Sequence, residues 1–164
     1  MSQDLPVIIV PARLASVRFP RKLLQEVNGT PLLIHTANRL IEVAPEFDLV
    51  FAVDGKELAS LLSENGFEFI LTNPELPSGT DRIFAANQKI KRSKVINVQA
   101  DEPLVEREHI LSLAEAIDRP GASMATLAVP FDSKENFHDR NQVKVVLDRS
   151  GFALYFSRSP IPQF

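Results

Sequence analysis

Cations crowd into one short segment of this chain. Arg13, Arg18, Arg21 and Lys22 fall within residues 13–22, with Ser16 among them and Pro11 and Pro20 as punctuation. A triphosphate needs several fixed donors, and the planar guanidinium fork of arginine matches phosphate oxygens. The glycine-rich dinucleotide signature and the Walker lysine loop are both missing from this segment, so phosphate would be gripped by side chains as well as backbone. A solvated basic loop would have the same composition. What favours the phosphate reading is position, directly after the first apolar run.

A second segment, Asn97-Val-Gln-Ala-Asp-Glu-Pro103, brings Asp101 and Glu102 to the end of another apolar run. Carboxylate oxygens suit Mg²⁺, which takes one or two protein carboxylates and completes its shell with water and substrate phosphates. The alternative is that Asp101 caps the turn before Pro103. In a third segment, Pro77-Ser-Gly-Thr-Asp-Arg82, Gly79 permits close backbone approach to a ligand, Thr80 is placed to cap a helix, and Arg82 sits in the first turn. A cation there works against the helix dipole, which asks for another reason for its presence. Arg158 follows the last apolar run and has the charge to meet an anionic substrate, or to be a surface arginine. Asp54, at the end of the second strand, is a weaker candidate. His35, His109 and His138 have no metal-binding spacing, and His35 reads as a packed histidine inside a helix.

The elements around these segments alternate. Leu5–Val10 reads as a buried strand stopped by Pro11, and Pro31–Val43 as a helix with proline at its start. Strands at Phe47–Val53, Phe67–Leu71 and Lys94–Val98 alternate with helices at Lys56–Asn65, Gly79–Lys89 and Arg107–Ile117. Ser123–Val129 again has strand character. This pattern predicts an α/β fold, a Rossmann-like, mostly parallel sheet with helices on both faces. Ligands of such sheets bind beyond the carboxyl ends of the strands, where the candidate residues fall. After residue 130, Val143–Leu147 and Phe152–Phe156 flank Asp148-Arg-Ser-Gly151 as a hairpin.

The 164 residues suffice for a single α/β domain, 1–164. Hydrophobic residues at 45% and charged residues at 24% are ordinary for a globular chain. A net charge of -3 argues against binding a nucleic acid polymer. Without cysteine there is no disulfide, thiol nucleophile or cysteine-based zinc site. The N-terminus lacks the basic start of a signal peptide, and Leu5–Val10 is too short to cross a membrane, so a cytoplasmic location without membrane insertion is expected.

Taken together the segments resemble the CMP-Kdo synthetases, the 3-deoxy-manno-octulosonate cytidylyltransferases. The resemblance rests on Pro11-Ala-Arg-Leu-Ala-Ser-Val-Arg18 with Pro20 and Lys22, on Ser78-Gly-Thr-Asp-Arg82 and on Asn97 to Pro103. It continues through Met124-Ala-Thr-Leu-Ala-Val129, Val143-Lys-Val-Val-Leu147 and Ala153-Leu-Tyr-Phe-Ser-Arg158, in the family's order. The related CMP-sialate synthetases share the Pro-Ala-Arg start but usually follow it with Gly-Ser-Lys, which this chain lacks.

The resemblance implies the nucleotide-diphosphosugar transferase fold and a Mg²⁺-dependent transfer of CMP from CTP to the sugar acid, in lipopolysaccharide precursor synthesis. By motif match Pro11, Ala12, Arg13, Ser16, Arg18 and Lys22 would hold CTP, with Ser78, Gly79 and Arg82 near the base. Asp101 would bind the metal, Lys22 and Asp101 would serve catalysis, and Gln99 and Arg158 would face the sugar. The family continues beyond this length and pairs as a homodimer, so the chain is expected to be the N-terminal part of a longer enzyme. A truncated module that binds nucleotide without turnover is the competing reading. The chain departs from the family in two places: Pro20-Arg-Lys-Leu stands where relatives carry Pro-Gly-Lys-Pro, and Ala100 where they carry glycine, and Ala100 would be strained if its φ were positive.

Overall fold

The computed structural model describes residues 5–15, 19–131 and 134–162. At its centre is β1 (Val7–Ala12), buried along its whole length. A two-strand ribbon, β2 (Glu26–Val27) and β3 (Thr30–Pro31), leads into α1 (Leu32–Val43). β4 (Leu49–Val53), α2 (Lys56–Glu64), β5 (Phe69–Leu71), α3 (Gly79–Ile90), β6 (Val95–Asn97) and α4 (Arg107–Ile117) follow. A short α5 (Lys134–His138) precedes β7 (Lys144–Leu147) and β8 (Ala153–Ser157). The chain divides into two compact units, Met1–Ala125 and Thr126–Phe164.

In the first unit the strands stand in the order β5-β4-β1-β6, every pairing parallel. The expected α/β architecture is therefore present. Alternation along the strands sorts the core into two layers. Ile8, Val10, Phe51 and Val53 pack with Leu33, Leu40, Leu58, Leu62 and Ile110 of α1, α2 and α4. Val7, Ile9, Val50 and Ala52 face the other way, onto Ile83 and Ala86 of α3. Both faces are thus covered by helices, which is why β1 and β4 read as continuous apolar runs. Each fully buried Leu, Ile or Phe stabilises this arrangement by about 1.5–3 kcal/mol.

β1 does not stop at Pro11 but continues to Ala12, with Pro11 opposite Ala52. The hydrogen bonds explain the tolerance. Val7 N–H donates to Lys94 on the β6 side and Ile8 N–H to Asp48 on the β4 side. By alternation the nitrogen of Pro11 faces the β6 side, where the ladder has already ended at Ile9–Asn97, so proline forfeits no ladder bond there. Pro31 is the residue before α1 rather than its first helical residue.

In the second unit β7 and β8 pair antiparallel with a register shift between Val146 and Leu147. The Asp148 carboxylate accepts from Ser150 and Phe152 N–H, each at 2.8 Å, and closes the expected turn; Gly151 follows at φ 82°. Ser123–Val129, by contrast, is not a strand. Its composition favours extended backbone, but a strand exists only in a ladder, and no ladder among the described residues includes it.

Candidate active site

β1, β4 and β6 are parallel, so their carboxyl ends lie along one edge of the first unit. The turns beyond β1 and β6, with the start of α3, surround a cleft of about 300 Å³ whose lining includes Arg13, Lys22, Gly79, Arg82, Gln99 and Asp101, together with Pro11 and Ala12. The basic loop, the start of α3 and the acidic segment after β6 therefore meet in space, as the sequence suggests. Leu23, Ala15 and Ala100 complete the wall; nothing in their types distinguishes them from core residues.

The turn bearing Asp101 is fixed from below by α1. Thr36 Oγ1, fully buried, donates to the Ala100 carbonyl at 2.9 Å, and Arg39 Nε donates to the Val105 carbonyl at 2.8 Å. Glu102 N–H closes the turn on the Gln99 carbonyl at 3.2 Å. Ala100 is not among the residues with positive φ, so the alanine is unstrained. The Asp101 carboxylate is engaged across the cleft by Lys22 Nζ in an ion pair, not by the backbone of its own turn. Gln99 Nε2 donates to Asn97 Oδ1 at 2.9 Å. Glu102 is exposed and does not line the cleft.

Lys22 begins a 3₁₀ turn, Lys22–Leu24, that follows Arg21. Arg21 does take the left-handed conformation, at φ 56° and ψ 28°. Ser16 and Arg18 lie outside the described residues. At the other end of the loop, Leu14 N–H donates to both Asp54 carboxylate oxygens, at 3.2 and 3.4 Å. Asp54 thus supports the loop from the end of β4.

Ser78, not Thr80, caps α3: its hydroxyl oxygen accepts from Asp81 N–H at 3.1 Å and its hydroxyl donates to the Asp81 carboxylate at 2.5 Å. The helix therefore begins at Gly79, and Ser78 is absent from the cleft wall. Gly79 serves a close approach to Pro11 in this structure. A Cβ at position 79 would stand 3.3 Å from Pro11 Cγ.

Arg82 is 2% exposed, the least accessible cation of the first unit's described residues. Its guanidinium donates to Thr72 Oγ1 and, at 3.4 Å, to the Asn73 carbonyl. Burial pushes its pKa below the ordinary arginine value; Asp54 pulls the other way, and Arg13 adds to the depression. These hydrogen bonds give the cation a reason to stand in the first helical turn despite the dipole.

Arg158 belongs to the second unit, where its Nη1 donates to the Arg140 carbonyl at 3.0 Å. His35 Nε2 lies 2.9 Å from the Val27 carbonyl, and His109 Nδ1 accepts from Glu106 N–H at 3.2 Å in the capping box of α4. Neither histidine lines the cleft.

The cytidylyltransferase family model matches residues 7–164. The chain belongs to the cytidylyltransferase family. Among cytidylyltransferases it is similar to the 3-deoxy-manno-octulosonate cytidylyltransferase of Nitratiruptor, with 43% identity over 95% of this chain and 67% of that protein. The enzyme of the same description from Wigglesworthia glossinidia brevipalpis is 39% identical over 95% of this chain and 65% of its own length. A solved CMP:2-keto-3-deoxy-manno-octonic acid synthetase complexed with CTP superposes with a TM-score of 0.85 at 32% identity, over 97% of this chain and 66% of that one. The resemblance to CMP-Kdo synthetases is borne out. This cytidylyltransferase chain spans about two thirds of the length of such relatives. No helix among its described residues is long and apolar enough to cross a membrane.

Proposed function

We propose that the protein to which this chain belongs couples CTP to 3-deoxy-manno-octulosonate, giving CMP-Kdo and pyrophosphate. The observation that carries this reading is the convergence of Arg13, Lys22, Arg82 and Asp101 in one cleft at the carboxyl edge of the sheet. The sugar's anomeric hydroxyl oxygen bonds to the α-phosphorus, its proton is lost, and the bond to the bridging oxygen breaks to release pyrophosphate. Such a reaction needs positioning and charge neutralisation more than covalent help from the protein. Arg13 and Lys22 hold phosphate oxygens, Arg82 and Gly79 border the base, and Gln99 meets the sugar acid; Ser78 near the base and Arg158 toward the sugar are assigned by motif alone. Ser16 and Arg18 join the phosphate set by motif.

Asp101 fits a Mg²⁺ ligand by chemistry. It is a hard-oxygen carboxylate at the cleft wall, and no cluster of three or more acidic, histidine or cysteine side chains among the described residues offers a protein cage. Such a site suits an ion shared with substrate phosphates. When bound, Mg²⁺ neutralises charge on the triphosphate. A cytoplasmic enzyme of lipopolysaccharide synthesis, homodimeric at full length, completes the proposal.

Calorimetry tests the nucleotide assignment. Mg-CTP is expected to bind more tightly than Mg-ATP or Mg-GTP, and Arg13→Ala to weaken it roughly ten- to a hundredfold, the value of a charge-assisted hydrogen bond. Equal affinity for all three nucleotides removes the cytidine assignment. Pyrophosphate release with CTP, Mg²⁺ and Kdo then separates an enzyme from a module that only binds.

A further inference from the structure

The basic loop is tied at two points to one short stretch of chain, Asp54 just after β4 and Glu57 in the first turn of α2. Leu14 N–H is held by Asp54. Farther along, Arg21 donates through both terminal nitrogens to the two carboxylate oxygens of Glu57, with Nη1 to Oε2 at 3.0 Å. This is the bidentate fork that gives arginine–carboxylate pairs their geometric definition. The two ties also meet, because Arg21 N–H donates to the Leu14 carbonyl at 3.3 Å.

Arg21 holds φ 56°, a left-handed conformation in which a Cβ is disfavoured and glycine is the usual occupant. Arginine persists in such a conformation where its surroundings over-determine it. Here the side chain is anchored on Glu57, while the Arg21 carbonyl accepts Leu24 N–H at 3.0 Å and starts the turn that carries Lys22. The residue after Arg21 is therefore aimed by a backbone pinned on both sides. Lys22 Nζ consequently reaches the Asp101 wall of the cleft.

We infer that Glu57, acting through Arg21, is a positioning residue that sets where the Lys22 amine stands in the phosphate site. The inference rests on the reading of the cleft as that site. Arg21 and Glu57 are 56% and 48% exposed at the side chain, so their pair adds little to global stability. Its consequence is local placement, which separates this role from a merely structural one.

The experiment measures melting temperature, the affinity of the 164-residue chain for Mg-CTP and for inorganic pyrophosphate, and ligand-free amide exchange at Lys22 and Leu24. Glu57→Gln and Arg21→Ala are each expected to weaken both ligands roughly three- to tenfold, with faster exchange at Leu24 and a nearly unchanged melting temperature. Arg21→Gly relaxes the backbone but removes the anchor, and it weakens binding as Arg21→Ala does. The charge-reversed double variant Arg21→Glu/Glu57→Arg restores affinity. Lys22→Met serves as the reference for the site itself. Loss of affinity in Lys22→Met with wild-type affinity in Glu57→Gln, Arg21→Ala or Arg21→Gly overturns the positioning role. Failure of the double variant to recover also overturns it. Unchanged binding in Lys22→Met, or a wild-type chain that binds neither ligand, removes the phosphate reading, and the role with it.

Discussion

Lys22 and Asp101, 79 positions apart in the chain, meet as an ion pair across the cleft. The loop after β1 supplies the cation and the turn after β6 the carboxylate. Each is about two-fifths exposed at the side chain. In water-accessible surroundings such a pair contributes at most about 1 kcal/mol to stability. In the proposed site these two charges neutralise each other without ligand. There a triphosphate with its cation would offer both of them opposite charge at once, so binding would exchange one pairing for two.

Asp101→Asn is therefore expected to preserve the fold and abolish the reaction. The side chain keeps its shape and an oxygen donor, and loses the charge. The melting temperature should move by no more than about 3 °C for a chain of this size. Pyrophosphate release by the full-length enzyme should fall roughly a hundredfold or more. Retained turnover in this variant would remove Asp101 from the chemistry.

Arg82 combines fold and site. Its guanidinium donates to Thr72 Oγ1, and Thr72 in turn donates to the Val53 carbonyl at 2.9 Å, so one chain of bonds joins α3 to the ends of β4 and β5. Arg82→Met keeps much of the volume and breaks the chain. A loss of about 1.5–3 kcal/mol is expected in denaturant unfolding, together with weaker CTP binding. A destabilised variant that binds CTP with unchanged affinity would assign Arg82 to the fold alone.

Arg107 forks onto Glu46, with Nη1 to Oε2 at 3.0 Å, and links the start of α4 to the loop before β4. The hydrogen bond from Arg107 is the main reason the Glu46 carboxyl lies below its ordinary 4.5. A depressed carboxyl stabilises the folded state above its unfolded pKa. That contribution is lost as pH falls through the lower, folded-state value. Arg107→Gln should thus raise the Glu46 pKa in an NMR titration and flatten the acid limb of the stability curve. An unmoved Glu46 titration would show that the pair does not persist in solution.

Sequence reading captured the architecture because both faces of the central sheet are covered. Burial on two sides writes β1 and β4 as unbroken apolar runs, and the helices between them carry periodic stripes. It placed Arg13, Lys22, Gly79, Arg82, Gln99 and Asp101 in one region because parallel strands must deliver their carboxyl ends to one edge. What it missed depends on partners. Ser123–Val129 has strand composition without a ladder, and Ser78 rather than Thr80 caps α3, a matter of where the helix begins. The supporting roles of Thr36, Asp54 and Glu57 also escaped, since long-range bonds to backbone and to Arg21 leave no local signature. Asn28-Gly29 did leave one and went unread. Both residues adopt positive φ, 54° and 76°, the pair needed for a two-residue hairpin turn.

That turn is open to a clean test. A Cβ at Gly29 meets nothing within 4 Å, so only its φ of 76° opposes a side chain. Gly29→Ala is expected to cost about 1 kcal/mol through the backbone alone, read as a lower denaturant midpoint with unchanged slope. A neutral substitution would show that the ribbon before α1 relaxes freely.

Lys144 presents the opposite situation, a charge with no room to relax. It is 1% exposed within β7. Its ammonium donates to the carbonyls of Asp139, Gln142 (2.8 Å) and Arg158 (3.4 Å), and lies 5.8 Å from the Phe131 ring centroid. Carbonyl dipoles and an aromatic face replace water around the charge, and three separate backbone positions are gathered onto one nitrogen. Lys144→Met fills similar space but strands those carbonyls, at roughly 1–3 kcal/mol for each that water does not reach. Residues 139–142 and Arg158 should then lose amide-exchange protection together, while β1 and β4 keep theirs. Lys144→Arg is not expected to rescue, because a planar fork cannot direct three donors as the ammonium does. Protection in Lys144→Met that matches the wild type would show that the three carbonyls hold their places without the lysine.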